Sequence, residues 1–384
     1  MSLPEDMVSE VLARVKDAAD LFHCARTCKR WSRLVADIRR RRPDDMSMLL
    51  SGFFTRKGKH TCIVPTPGSV FGPTTLFLGS FFRDAPRGLR LSRATPLAAH
   101  HGLLLVRLPY SDPLLHLAVC NLLAGTCIEL PPLESSWKYA DSGYAIFTTA
   151  DRPSYGKEQP SWPPGYSALF KVLVICCHGY HKPCILHSFS YSEARWNTPT
   201  EIICESTKLS ICGSLKHPIA VVCHGTAHWL VWCKSTDVYR WHIIDVDAET
   251  CHASLREIVI PIQHILRVTY EPQLSVAHDG TLLLLYLQRP GLQLKICVQQ
   301  DNIRGDNGGR WLCSRVVELK LPTSIRAQEM YLTFLGEKGG TVLIKDNWMN
   351  VYVVDLKTGV MKSLTSCGRI NRKIVTFELY WPML

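Results

Sequence analysis

The sequence predicts a mainly β fold behind a small module of three helices, and three observations lead there. The apolar residues of the first 44 positions recur at helical spacing. Beyond residue 45, short runs rich in Val, Leu, Ile, Tyr and Trp alternate with Gly, Pro, Asp and Asn, and no long segment keeps a helical period. Within that region a glycine-led apolar strand returns several times, the mark of an internal repeat.

The first helix is expected to be capped by Ser2, with Glu5 three residues on completing a capping box. Pro4 falls in the first turn, where its missing N–H costs nothing. Met7, Val8, Val11, Leu12 and Val15 then recur at steps of one, three and four, which places them on one helical face. Asp17 and Asp20 mark a second start, because carboxylates favour the positive end of the helix dipole. Leu21, Cys24, Ala25, Cys28, Trp31 and Val35 continue an apolar face, with a break expected near Thr27 that divides it into two short helices. Helices this small bury little surface and need a partner or a following domain. Arg39, Arg40, Arg41 and Arg42 read as a cationic cap on a helix C-terminus, and the run also fits a nuclear import signal.

The order Leu3, Pro4, Glu5, Asp6, Met7, Val8, then Val11, Leu12, Val15, Asp20 and Leu21, then Thr27, Cys28, Lys29, Arg30, Trp31 and Leu34 resembles an F-box. That family of short helical modules docks substrate receptors onto the Skp adaptor of cullin-based ubiquitin ligases. The resemblance implies adaptor contacts from Leu3, Pro4, Met7, Val8, Val11, Leu12, Leu21 and Trp31, with Trp31 able to serve equally as internal core. It also implies a Skp-type adaptor and, through it, a cullin as partners, a protein target of unknown identity, and no catalysis by the chain itself. Two positions depart from the family: Val15-Lys16 replaces a common leucine–proline pair, and Thr27 stands where an aliphatic residue usually precedes the cysteine. Both bear on affinity for the adaptor more than on the identity of the module. The domain boundaries expected are 1–44 for the F-box-like module and 45–384 for the β domain.

The repeats of the β domain begin at Gly102-Leu103-Leu104-Leu105, Gly225-Thr226-Ala227-His228-Trp229-Leu230, Gly280-Thr281-Leu282-Leu283 and Gly340-Thr341-Val342-Leu343-Ile344. A second strand follows each and ends in a polar turn, such as Asn121 to Gly125, Asp245 to Thr250 or Asp355 to Gly359. Leu130-Pro131, Ile260-Pro261 and Leu321-Pro322 close several units. The later units recur about every 55 residues, near the kelch spacing, so the region predicts a β-propeller of about six blades. The units resemble the F-box-associated propellers of large plant receptor families, although Asn121-Leu122-Leu123-Ala124-Gly125 lacks the proline and threonine of their usual turn. Closure of the ring is expected from a strand at Lys373 to Trp381 pairing with Ser47 to Pro65, because it removes exposed edges. A pair of β-sandwiches or an irregular β-domain is the alternative architecture.

Composition narrows the function classes. A hydrophobic content of 46% with 20% charged residues describes a globular chain. The net charge is +11, of which residues 1–44 contribute +3 from 10 Lys/Arg and 7 Asp/Glu. The remainder is spread without a dense basic block, so nothing in it points to a nucleic-acid groove. No apolar run reaches membrane-spanning length, so no membrane role is expected. The N-terminus lacks a secretory pattern, no Asn-X-Ser/Thr occurs, and most of the 16 cysteines lie in strand-like runs. These observations predict buried, reduced thiols in a cytoplasmic or nuclear protein.

Candidate chemistry is thin. Cys176, Cys177, His178, His181 and Cys184 supply enough ligands for zinc at a spacing that fits no common finger, and Cys223, His224 and His228 are equally loose. Strand cysteines flanked by loop histidines are the simpler reading, so no metal and no cofactor are expected. Gly52 to Gly58-Lys59 misses the P-loop spacing, and Arg304-Gly305-Asp306 reads as part of a polar loop. A substrate receptor without catalytic residues is therefore the expected function. A propeller lectin or hydrolase with a helical extension, or an F-box scaffold that delivers no target, are the alternatives.

Overall fold

The computed structural model describes residues 4–15, 20–21, 24–25, 28–40, 48–66, 69, 71–72, 74–82, 90–122, 124–134, 142–151, 170–177, 183–204, 209–210, 213–215, 217–235, 238–258, 272–277, 279–288, 292–300, 310–320, 332–338, 340–364 and 374–380. Among the described residues from Met48 onward there are seven antiparallel sheets, six of which are arranged as the blades of a β-propeller and the seventh of which is the short pair 203–204 and 209–210. Blade 1 has the strand order 375–380, 48–57, 60–65, 76–77 from inside to outside. Blade 2 runs 95–100, 103–107, 117–121, 126–129, and blade 3 runs 142–148, 170–176, 185–190, 195–196. Blades 5 and 6 run 273–276, 282–288, 293–300, 310–318 and 333–338, 341–345, 351–355, 361–363.

Blade 4 departs from this simplicity. Its inner edge is divided, with 213–215 and 221–223 both pairing the long strand 226–235, which is followed by 238–247 and 253–257. The inner strands of successive blades touch around the whole ring, from 375–380 through 95–100, 142–148, 221–223, 273–276 and 333–338 back to 375–380.

Ring closure takes the expected form. Val375–Tyr380 pairs with Met48–Lys57 in a register running from Met48↔Tyr380 to Phe54↔Val375. The chain's last described strand is therefore the innermost strand of a blade otherwise made from its first strands, and this leaves no open inner edge.

The repeat is present, but its phase differs from the sequence reading. Each glycine-led strand is the second strand of its blade, preceded by an inner strand such as Thr95–His100 that the glycine pattern does not mark. The glycines close the turn between the two: Gly102, Gly225, Gly280 and Gly340 have φ of 80°, 74°, 84° and 76°. A side chain at those angles is strained, which explains why glycine leads the strand. The polar turns cap the third strands. Asp247 Oδ1 accepts from the N–H groups of Glu249 (3.0 Å) and Thr250 (2.7 Å). Asp355 Oδ1 accepts from Lys357 and Thr358, and Asn121 Oδ1 from Ala124. These are Asx turns, local alternatives to the strand ladder.

Two helices of the N-terminal module have described bounds, α1 (Glu5–Arg14) and α2 (Lys29–Arg40). Between them Asp20, Leu21, Cys24 and Ala25 are helical, so the expected three-helix arrangement is only partly visible among the described residues. The capping box does not form as expected. Pro4 is the N-cap with φ −55° and ψ 150°, Glu5 is the first helical residue, and no side-chain cap bond is made. With Glu5 at the start of the helix and not one turn in, it instead lies 3.5 Å from Arg30 Nε and ties α1 to α2. Ser2, Leu3, Asp17 and Thr27 lie outside the described residues, as do Ile260-Pro261, Leu321-Pro322 and Arg304 to Asp306.

One thiol pair departs from the expectation of reduced cysteines. Cys177 and Cys184 form a disulfide with Cα atoms 4.3 Å apart. The antiparallel register of 170–176 with 185–190 pairs Cys176 with Ile185, so the next residue out on each strand must face the other. Eleven further described cysteines form no disulfide. Among the described residues, no helix is long and apolar enough to cross a membrane.

Candidate functional sites: an exposed helical stripe and a buried polar cluster

Helix α1 divides its apolar residues between two surfaces. Val8 and Leu12 are buried and join Leu21, Ala25, Val35 and Ile38 in a hydrophobic cluster that continues into Phe54, Leu78, Phe82 and Phe377 of the propeller. Trp31 and Leu34 are partly buried and pack against the same cluster. Pro4, Met7 and Val11 remain exposed, Met7 at 54% and Val11 at 61%. Residues 4, 7 and 11 follow the three- and four-residue steps of one helical face. The eight residues assigned to a single surface therefore separate: Pro4, Met7 and Val11 face outward, Val8, Leu12 and Leu21 form core, Trp31 lies between, and Leu3 is outside the described residues. The period of the sequence marked a broad apolar arc without telling which edge of it the propeller would cover.

A polar cluster lies where the inner strands of blades 1, 2 and 3 end. His100 closes the strand Thr95–His100, and His101 begins its turn with φ 47°. Asp151 ends a 3-10 turn, Thr149–Asp151, that follows the inner strand of blade 3. His100 Nε2 lies 2.7 Å from Asp151 Oδ1, and His101 Nδ1 lies 2.9 Å from Thr148 Oγ1 and 3.7 Å from Asp151 Oδ1. The two imidazole rings are tilted at 34° with centroids 3.7 Å apart. Asp151 Oδ2 accepts from the N–H (2.6 Å) and hydroxyl (3.0 Å) of Thr148. Glu378, on the inner strand of blade 1, places Oε1 3.8 Å from His100 Nδ1. Burial pushes the Asp151 carboxyl up, but His100, His101 and the Thr148 N–H outweigh it and hold it well below the usual carboxylate range.

Further around the ring, the hydroxyl of Ser275 in blade 5 donates to Glu337 Oε2 in blade 6, whose Oε1 accepts from Gly340 N–H at 3.0 Å. Inward carboxylates are the feature that the lectin or hydrolase alternative requires. Here the three named are engaged by imidazoles or a hydroxyl from a neighbouring blade.

A second network crosses blade 4. Cys223 Sγ lies 3.2 Å from His228 Nε2, and His228 Nδ1 lies 2.5 Å from Asp245 Oδ1. Arg256 donates to both oxygens of Asp245 and, through Nη1, to Gln299 Oε1 of blade 5 at 2.6 Å. Thiol, imidazole and carboxylate in line resemble a nucleophilic triad in geometry. The electrostatics run the other way. Burial, followed by the Asp245 charge, raises the Cys223 thiol to about 11 against the opposing effect of Arg256. It stays protonated at neutral pH, and the row acts as a cross-strand ladder that ties blade 4 to blade 5. His224, paired in the sequence reading with Cys223 and His228, points elsewhere: a Cβ at Gly280 would meet its ring at 2.4 Å.

The sequence reading missed His100, His101 and Asp151. The doubled histidine ahead of Gly102 was a local signal at a strand end. Asp151 lies 51 positions from His100 in sequence, and only the folded ring brings it near.

A family model described as F-box-like matches residues 1–42. Residues 1–42 are an F-box-like domain. Among curated proteins, none matches the chain. Solved structures similar in overall course include a protein of unknown function from Dyadobacter fermentans, at 9% identity over 86% of this chain and 88% of that one, with TM-score 0.39. The β-propeller domain of Myceliophteria thermophila Cps50 (Swd1) matches at 11% identity over 84% and 89%, with TM-score 0.37. A polysaccharide lyase of family PL25, an ulvan lyase, matches at 10% identity over 83% and 80%, with TM-score 0.41. At these scores the propeller is established by its own strand order.

Proposed function

We propose that this chain is the substrate-recognition subunit of a Skp–cullin–F-box ubiquitin ligase. The observation that carries the reading is an F-box-like domain at residues 1–42 joined to a six-blade propeller. F-box domains generally bind Skp adaptors. The exposed stripe of Pro4, Met7 and Val11, with Leu3 beside it in sequence, is the surface that supports docking here, while Val8, Leu12 and Leu21 hold the helices together beneath it. An apolar stripe facing solvent fits a partner surface.

The propeller supplies the receptor half, and its glycine-led repeats resemble the F-box-associated propellers of plant receptors. In this role the chain contributes no bond-making step. It holds a target near the ligase's charged conjugating enzyme and so raises effective concentration.

Affinity purification of the full chain, with and without proteasome inhibition, tests the reading. Recovery of a Skp-type adaptor and a cullin, plus target proteins that accumulate when the proteasome is blocked, is the expected result. Adaptor and cullin without accumulating targets indicate a scaffold, and absence of the adaptor refutes the receptor assignment.

A further inference from the structure

We propose that His100, His101 and Asp151 form a binding site for a divalent transition metal of the zinc class, where the inner strands of blades 2 and 3 end beside blade 1. This site is separate from the helical module and does not depend on the docking assignment. The three side chains each offer one ligand atom, and these atoms lie within 4.8 Å of one another. A tetrahedral zinc ion with bonds of about 2.0–2.1 Å sets its ligand atoms roughly 3.3 Å apart. The observed 2.7 Å from His100 Nε2 to Asp151 Oδ1 and 3.7 Å from His101 Nδ1 to the same oxygen bracket that value. Side-chain shifts of less than about an ångström would therefore seat the ion.

The surroundings are those of a supported ligand set. Thr148 holds Asp151 Oδ2 through two hydrogen bonds, which turns Oδ1 toward both imidazoles. His100 offers Nε2 to the site while Nδ1 faces the Glu378 carboxylate. A carboxylate behind a ligating histidine fixes its tautomer and raises its basicity. The side chains of Asp151 and Glu378 are 7% and 1% exposed, so an ion held by Asp151 and the two imidazoles would sit in a site from which water is largely excluded. Two imidazole nitrogens with one carboxylate oxygen suit zinc, iron or cobalt, and disfavour calcium and magnesium, which take oxygen ligands. Three protein ligands leave a fourth position for water.

The test uses the purified full chain, stripped with a chelator and titrated separately with Zn²⁺ and Co²⁺. One equivalent should bind, raise the melting temperature, and give a cobalt spectrum without sulfur-to-cobalt charge transfer. His101→Asn keeps a residue that tolerates the left-handed backbone, so it should still fold cooperatively and lose metal binding. Asp151→Asn should lose it as well, which keeps the test informative if either variant folds poorly. Glu378→Gln should weaken affinity about 10–100-fold, as expected for an outer partner. The proposal is overturned if the wild-type chain takes up no stoichiometric metal, if both ligand variants retain wild-type affinity, or if charge-transfer bands place the ion on cysteines.

Discussion

Phe377→Ala measures how much of the fold depends on ring closure. The side chain is fully buried at 0% exposure on the innermost strand of blade 1. Its ring meets Phe54 edge-on at 5.4 Å and Phe71 at 6.0 Å, and it belongs to the cluster shared with Val8, Leu12 and Leu21. Truncation of a buried phenylalanine costs about 3–5 kcal/mol from lost transfer energy and the cavity left behind. Roughly 0.5–1.5 kcal/mol of that belongs to an aromatic pair. For a chain of 384 residues the melting temperature should fall by roughly 4–6 °C.

The control is Phe77→Ala on the outermost strand of the same blade, where the ring is 49% exposed. It should move the midpoint by about 1 °C. Differential scanning calorimetry on both variants gives the comparison. Deleting everything beyond Asn371 extends the test, because it removes the whole partner of Met48–Lys57 and opens an inner edge. A Phe377→Ala midpoint within about 1 °C of wild type, or a truncated chain that melts cooperatively at the wild-type temperature, would refute closure by this strand.

Other perturbations probe separate parts of the account. Gly143→Ala should destabilise by about 1–3 kcal/mol through overpacking, because its Cβ would meet Trp229 Nε1 at 2.5 Å between blades 3 and 4; chemical denaturation checks it, and an unchanged midpoint contradicts the packing. Leu12→Ala should cost about 2–5 kcal/mol and Met7→Ala less than about 0.5 kcal/mol, since the first is 1% exposed and the second 54%; equal effects in urea would erase the distinction between the two sides of α1. Burial raises the Asp245 carboxyl, but His228 and Arg256 overcome it and leave the group below its ordinary value. Its stabilising contribution is thus complete above the unfolded-state value near pH 4 and is lost as pH falls through the lower folded-state value. Asp245→Asn should flatten the acid-side slope of stability against pH, and an identical slope would show that the ladder contributes nothing there.

How much of this was legible beforehand depended on how local each cause is. The glycine-led strands and the Asx turns at Asp247 and Asp355 follow from backbone rules that act over a few residues, and the closing strand from the need to leave no open edge. Even so, the repeat was read one strand out of phase, because an inner strand such as Thr95–His100 has no glycine to mark it. The apolar period of Met7, Val8, Val11 and Leu12 was visible. The split between outward Met7 and Val11 and inward Val8 and Leu12 was not, because it depends on where the propeller covers the helix. The Cys177–Cys184 bond required the register of two strands. The His100–His101–Asp151 cluster required three blades to meet.

The most direct test of the account is a binding measurement between a purified Skp-type adaptor and the full chain carrying Met7→Asp together with Val11→Asp. Calorimetric titration and circular dichroism on the same samples separate docking from folding. The account predicts that the double variant keeps the wild-type spectrum and melting temperature while adaptor binding is lost. Wild-type affinity in the folded double variant would contradict it.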